Sequence, residues 1–177
     1  MDKIIVISGE GKLPKLVVNK LKKINICFFE LRLFKEIPGS RHNIKYVKYG
    51  NIVSELIKLK KNGFNKLLMA GSLQRPKINE IKPDINSIKL LPKFIKKILE
   101  GGDDNLLKFV IKELENLGFQ IINLKKVLPD IFLGKGNQTN VVVTKTNLND
   151  IKKGIRILKN NSKFDIGQSI IIQPGSV

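Results

Sequence analysis

Four short stretches of this sequence hold residues suited to binding or moving charge. Gly9-Glu10-Gly11-Lys12-Leu13 follows the β-type run Lys3-Ile4-Ile5-Val6-Ile7, and Gly71-Ser72-Leu73-Gln74-Arg75-Pro76 follows Leu67-Leu68-Met69-Ala70. Gly101-Gly102-Asp103-Asp104 precedes an apolar-periodic run that begins at Leu106, and Asp165-Ile166-Gly167-Gln168 precedes Ser169-Ile170-Ile171-Ile172. A glycine turn at a strand end lets a ligand approach the backbone. A helix that starts just after it offers free N–H groups to a phosphate. Gly9, Gly11, Lys12 and Leu13 are the candidate contacts of that kind, with Gly71 at the second strand end and Asn123 closing the run Phe119-Gln120-Ile121-Ile122 at a third. The carboxylate of Glu10 repels a phosphate, and Lys12 offsets it. Arg75 suits bidentate phosphate recognition. Asp103 and Asp104 could face a metal ion or a water. Gln168 could read a base or sugar edge.

Each stretch has a plainer reading as well. The first is a tight strand-to-helix turn with no ligand. Arg75 can be an exposed loop residue, Asp103 a helix cap near the positive helix end, and Gln168 a turn amide bonded to its own backbone. The dinucleotide pattern needs a third glycine where Pro14 stands, and the P-loop pattern needs Ser or Thr after Gly-Lys; neither is met. His42 has no plausible partner nearby and Cys27 falls within a strand-like run, so both read as structural.

These residues need elements to position them. Residues 3–8 form a continuous β-branched run, the pattern of a buried strand. Residues 14–23 read as a helix with Leu16, Val17 and Leu21 on one face and Pro14 in its first turn. Residues 25–30 and 65–70 read as strands, and 43–49 as a weaker one. Residues 52–62 and 106–117 read as helices, each stopped at a glycine, Gly63 and Gly118. Residues 119–124 read as another strand. Strands and helices thus alternate, which predicts an α/β fold with a mostly parallel sheet. In such sheets ligands bind beyond the carboxyl ends of the strands. After Pro129 the texture changes: residues 133–140 are polar and glycine-bearing, 149–160 read as a helix and 169–173 as a strand. The expected organisation is a Rossmann-like domain over residues 1–133, then a linker and an incomplete second α/β domain over 134–177. Pro174-Gly175-Ser176-Val177 looks like a turn into a return strand, so the sequence reads as cut in mid-domain.

Composition narrows the classes. The 177 residues are 42% hydrophobic, enough for one domain or one and a part. No apolar run approaches a membrane span of roughly 20 residues, and no secretory leader pattern is visible, so a cytoplasmic protein is expected. One cysteine and one histidine exclude an internal disulfide, a Cys-cluster metal site and a two-His zinc site. Lys and Arg number 33 against 15 Asp and Glu, a net charge of +18, which admits a nucleic acid or an anionic membrane face as partner. Against nucleic acid, the excess is almost all lysine spread along the chain, and isoleucine and asparagine are abundant with it, the mark of an AT-rich coding sequence. No aromatics interleave with the lysines as a base-stacking platform requires. A basic nucleic-acid-associated α/β domain is the alternative reading, and a nucleotide-binding module without a reaction of its own is a third.

The segments GEGKLP (9–14), LLMAGSLQRP (67–76), the long block from KPDIN to FQIIN (82–123), LPDIF (128–132) and FDIGQSIIIQPG (164–175) follow one another in a familiar order and spacing. The chain resembles the UDP-2,3-diacylglucosamine pyrophosphatases of the LpxI type along essentially its whole length. The resemblance implies a Rossmann-like N-terminal domain and a C-terminal domain with substrate between them. It implies hydrolysis of UDP-2,3-diacylglucosamine to UMP and 2,3-diacylglucosamine 1-phosphate (lipid X) in lipid A biosynthesis of Gram-negative bacteria, with water attacking the α-phosphorus. It also implies a divalent ion, normally Mg2+, and is compatible with peripheral association at the inner face of the cytoplasmic membrane; nucleic acid is not expected. The implied substrate contacts are Gly9, Gly11, Lys12, Leu13, Gly71, Arg75, Asp103, Asp104, Asn123, Gly167 and Gln168. Two departures stand out. The family turn usually reads Gly-Gly-Gly, and Glu10 takes its middle place here. The family's catalytic aspartate lies in a Glu-Gly-Thr-Asp segment expected beyond Val177, so the chain alone is expected to be inactive. Metal ligands, acyl-chain preference and oligomeric state are not legible in these residues.

Overall fold

The computed structural model of the chain describes residues 2–33, 43–74, 76, 81–100, 103–161, 167, 169–173, 176 and 177. Five strands, β1 (Lys3–Ser8), β2 (Cys27–Arg32), β3 (Ile44–Tyr46), β4 (Lys66–Ala70) and β5 (Gln120–Ile121), form one sheet in the order β3-β2-β1-β4-β5. Every pairing is parallel. The helices are α1 (Leu13–Lys23), α2 (Ile52–Lys61), α3 (Leu91–Glu100), α4 (Asp103–Asn116), α5 (Leu124–Val127) and α6 (Lys145–Asn161). The expected α/β class with a parallel sheet is what the structure has.

β1 is the centre, and its sequence explains why. Its residues feed two separate cores because successive side chains alternate across the sheet. Ile4 and Val6 pack with Val17, Val18 and Leu21 of α1 and with Val127 of α5. Ile5 and Ile7 pack on the other face with Leu56 and Leu59 of α2 and Leu114 of α4. A strand covered on both faces has no polar side, hence the unbroken apolar run. The helix stops are equally local. Gly63 and Gly118 take positive φ, 85° and 80°, and Phe64 and Phe119 then return N–H groups to the carbonyls of Leu59 and Leu114, closing each helix end.

Several boundaries differ from those read in the sequence. β2 begins at Cys27, not Asn25, because Asn25 (φ 53°) belongs to the turn that ends α1. Cys27 is therefore the first strand residue, and it is exposed. α4 begins at Asp103 rather than Leu106, which puts Asp103 and Asp104 inside the first turn instead of ahead of it. The strand expected over 119–124 shrinks to two residues, because Asn123 turns the chain into α5. α6 begins four residues early. Thr144 Oγ1 accepts from Asn147 N–H (3.2 Å) while Asn147 Oδ1 accepts from Thr144 N–H (3.0 Å), a reciprocal cap. Residues 169–173 form no strand of the sheet; Ile170 and Ile172 lie against Gly154 of α6, and Gln173 makes only an isolated bridge to Ser176. A strand needs a neighbour to pair with, and none of the described residues supplies one. Helix α3 was not foreseen.

The short edge strand β3 is tied to the body by charge. Lys45 reaches Glu55 of α2 (2.7 Å), which also takes Lys58 (2.9 Å). Burial raises the Glu55 pKa, but the hydrogen bonds and charges of these two lysines outweigh it, and the net shift is below the ordinary 4.5. A carboxyl depressed in the folded state adds stability above its unfolded pKa and loses it as pH falls through the lower folded value. Acidification below about pH 4.5 should therefore release this clamp. Glu55→Gln should remove that part of the acid dependence of the urea midpoint; an unchanged acid limb would show that the clamp contributes nothing.

A second outcome concerns the seam between β1 and β4. A Cβ built on Gly9 would lie 2.2 Å from the carbonyl oxygen of Ser72, a backbone atom that cannot rotate away. Gly9→Ala should cost about 3 kcal/mol in denaturant unfolding. Gly134→Ala is the control, since its added Cβ would meet only a Gln138 nitrogen at 3.9 Å, and it should change stability by less than about 0.5 kcal/mol.

Candidate functional site

In a sheet of this strand order, connections leave β1 and β4 toward opposite sides, and the carboxyl ends of those two strands bound a crevice. The turns after β1 and β4 lie there side by side. They are hydrogen-bonded to each other: Gly9 N–H to Ala70 O (2.8 Å), Glu10 N–H to Ser72 O (2.7 Å) and Ser72 N–H to Glu10 O (3.1 Å). The structure thus brings the turn at 9–13 and the start of the loop at Gly71 side by side.

This zipper gives two of the glycines a reason that needs no ligand. Gly9 faces the Ser72 carbonyl, and Gly71 (φ 91°) has the Glu10 carbonyl oxygen 2.6 Å and Pro14 Cγ 2.8 Å from where its Cβ would be. Gly11 is different. Its φ is 100°, and a Cβ there would meet nothing within 4 Å, so it borders open space. The N–H groups divide the same way. Those of Gly9, Glu10 and Ser72 are spent on the zipper. Those of Gly11, Lys12 and Leu13 have no backbone acceptor among the described residues, and they stand at the start of the 11-residue α1. Lys12 occupies the N-cap position, where its ammonium cannot accept from the helix N–H groups, and its side chain is exposed. A free N–H cluster with a positive helix end and a lysine is an anion seat. Beneath it, Ser8 closes β1 on the α1 face; its side chain is fully buried and its Oγ has no hydrogen-bond partner in the structure.

The structure adds Tyr49 to the crevice wall, a residue the sequence did not single out. Its hydroxyl donates to the Gln74 carbonyl (2.9 Å) and so anchors the loop after β4. Burial, and after it the negative charge of Glu10, push the Tyr49 phenol up. The same loop is held further on. Asp84 Oδ1 accepts from Ser87 N–H (2.9 Å), Asp84 N–H donates to Gly50 O (3.1 Å), and Asn86 donates to Ser54 (2.7 Å). The only sequence signal for Tyr49 was its place just ahead of α2.

The other sequence candidates scatter. Asn123 lies at the carboxyl end of the sheet, but its Oδ1 is occupied in capping α5 through Lys125 N–H (2.8 Å). Asp103 opens α4, with its side chain outside the described residues. Asp104 pairs with Lys108 (2.5 Å) on an exposed face, where such i,i+4 pairs contribute only about 0.3–0.5 kcal/mol. Gly167 has φ 69° with open space around it, in the segment that returns to α6. Arg75, Gln168, His42, Gly101 and Gly102 lie outside the described residues. Among the described residues no three His, Cys, Asp or Glu side chains cluster as a metal ligand set.

A family model described as the LpxI N-terminal domain matches residues 3–131. A curated relative, the UDP-2,3-diacylglucosamine pyrophosphatase LpxI of Caulobacter vibrioides, is 28% identical over 179 residues, an alignment that covers 100% of this chain and 64% of that protein. The chain thus spans less than two thirds of the length of the curated relative it matches. Among solved structures, a short chain dehydrogenase family protein from Francisella tularensis aligns with 93% of this chain and 65% of its own at 18% identity, with a TM-score of 0.32. That likeness is too slight to support any argument.

If Tyr49 anchors the crevice wall, Tyr49→Phe should lower stability by about 1 kcal/mol, the value of one hydrogen bond. It should also speed amide exchange in the loop after β4 more than in β1. Uniform acceleration across the sheet would show that the bond to Gln74 does not secure the loop.

Proposed function

The chain belongs to the LpxI family, and on that premise we propose that the protein carrying it hydrolyses the pyrophosphate of UDP-2,3-diacylglucosamine. Water cleaves the pyrophosphate linkage, one P–O bond to the bridging oxygen breaking, and the products are UMP and 2,3-diacylglucosamine 1-phosphate, a step of lipid A biosynthesis. The observation that supports this reading best is the fused pair of turns at the β1–β4 crevice, with the N–H groups of Gly11, Lys12 and Leu13 unspent. In the proposal these groups and the Lys12 ammonium hold phosphate oxygens of the UDP part. Gly9 and Gly71 allow the close approach of the two turns, and Arg75 adds a fork of donors from the second. Asp103, Asp104, Asn123, Gly167 and Gln168 complete the assigned contacts. Glu10 sets a limit on the seat: its carboxylate excludes a phosphate from its own side, which leaves the α1 side of the turn.

This chain binds and orients; the reaction's aspartate is assigned outside these residues, and hydrolysis by the chain alone is not expected. Magnesium is part of the proposal because phosphoryl transfer needs charge on the phosphates neutralised. The described residues offer no ready set of carboxylates for the ion, so no step is routed through it. Magnesium is commonly held by one or two carboxylates together with substrate phosphates. A cytoplasmic protein peripheral to the inner membrane suits an amphiphilic substrate. Helix α3 sets half-buried Leu91, Phe94, Ile95 and Ile98 opposite Lys93, Lys96 and Lys97, and Leu99 near its end is 72% exposed; an amphipathic helix with a lysine face suits an anionic lipid surface. Among the described residues no helix is long and apolar enough to cross a membrane.

Titrating the chain with UMP should shift the amide resonances of Gly11, Lys12 and Leu13 and leave those of Gly9, Glu10 and Ser72 in place. Arg75→Ala should weaken UMP binding by about 1.5–3 kcal/mol if its guanidinium makes a charged hydrogen bond. Shifts confined to other parts of the chain would remove the seat from this turn. Release of UMP from UDP-2,3-diacylglucosamine by the 177-residue chain alone would place the reacting groups inside it.

A further inference from the structure

We propose that a groove between α1 and the β2–β3 edge is a binding site for a phosphate group, separate from the turn at Gly11. Lys15, Asn19 and Lys22 line one wall, Glu30 and Arg32 the other, over a floor of Val18 and Ile44. Positions 15, 19 and 22 fall four and three residues apart, so they share one face of α1. Glu30 and Arg32 are two apart on β2 and share the sheet face that carries Phe28 and packs under α1.

Glu30 is the anomaly that gives the groove its chemistry. It is a carboxylate in the middle of a central strand with 1% exposure. Its two oxygens accept from Arg32 Nε (2.8 Å) and Nη2 (3.1 Å), a two-pronged pair. Leaving a buried carboxylate unpaired costs several kcal/mol, and an apolar residue of similar size would fill the space as well. What the pair adds is a guanidinium fixed in plane and orientation. Two of its five N–H groups are spent on Glu30, and the Arg32 side chain remains 26% exposed. Neither Lys15 nor Lys22 has a carboxylate partner among the described residues. Three cations and one carboxylate leave the groove with a net charge of two positive. A phosphate dianion matches that charge, and a fixed guanidinium matches its oxygens.

Size restricts the ligand. The groove encloses about 180 Å³, below the roughly 300–1,000 Å³ typical of sites for whole cofactors or drug-sized ligands. It therefore takes a phosphate group, free or at the end of a small ester, and not a whole nucleotide. The inference does not depend on the proposed hydrolase reading, since it rests on α1, β2 and β3 alone.

The test uses the whole chain and two probes, inorganic phosphate and glycerol 3-phosphate, each at ionic strength held constant with sodium chloride. Amide spectra should show saturable shifts at Asn19, Lys22, Arg32 and Ile44. The double variant Lys15→Ala/Lys22→Ala alters only exposed side chains and leaves the buried pair in place. It should raise the dissociation constant about tenfold or more, as loss of charged hydrogen bonds implies. Saturation by both probes would assign the site to phosphate monoesters, and by inorganic phosphate alone to the free ion; either supports the proposal. Shifts that never saturate, that stay confined to residues 11–13, or that persist unchanged in the double variant would overturn it.

Discussion

The close approach of two backbones at the end of the β1–β4 seam constrains everything around it. The strands pair in register from Ile4 with Lys66 to Ser8 with Ala70. Contact does not stop there, because past the strand ends the two turns meet in an isolated antiparallel bridge between Glu10 and Ser72. No side chain fits at Gly9 or Gly71. Pro14 lies against Gly71, so the first turn of α1 is keyed to the loop after β4, although the two are more than fifty residues apart in sequence. The seam thus decides which N–H groups remain for a ligand: those of Gly9 and Glu10 are consumed by the protein, and those of Gly11, Lys12 and Leu13 have no backbone acceptor among the described residues. A turn that seems uniformly bare in sequence has a structural half and a vacant half.

Much of the scaffold was legible for physical reasons. β1 has the unbroken apolar run Ile4–Ile7 and β4 the run Leu67–Ala70 because both faces of the sheet are covered, and the glycines after α2 and α4 mark left-handed residues that other side chains adopt at a cost. What escaped was set by partners distant in sequence. β2 takes its bounds from pairing Lys3 with Cys27 and Ser8 with Arg32, which no local pattern in residues 25–32 reveals. Glu30 looks like a solvent-side residue until Arg32 is seen to reach back to it. α3 has a clear apolar stripe, with Pro92 in its first turn, where proline is tolerated. The apparent interruption by Leu90-Leu91-Pro92 hides it. At the site, the positions of the glycine turns could be read from the chain, but the reasons for Gly9 and Gly71 could not, since a clash between two backbones has no signature in residue type. Tyr49 was hidden likewise, because its partner is a main-chain carbonyl.

The charge imbalance also reads differently once the carboxylates are located. With only 15 acidic residues in the chain, several are committed internally: Glu30 to Arg32, Glu55 to two lysines, and Asp84 to the turn that follows it. Burial pushes the Asp84 carboxyl up, but hydrogen bonds, among them the one from Ser87 N–H, outweigh it and hold the group below its usual range. Carboxylates engaged in this way do little to temper lysines elsewhere. Helix α1 carries Lys15, Lys20, Lys22 and Lys23 and no acidic residue, so the field felt by an approaching anion is more positive near it than the average over the chain suggests.

The shortness of the outer strands bears on how the chain behaves when crowded. β3 has three residues and β5 two, while the three strands they enclose have five or six. An exposed strand edge is a template for adding strands from other molecules, and long flat edges are where such growth starts. Here a foreign strand would find only two or three residues to pair with. On β3 it would also meet Lys45, already pinned to Glu55. The most apolar strands, those best able to propagate a fibril, are enclosed within the sheet. Resistance to edge-to-edge polymerisation is therefore built into the strand lengths themselves.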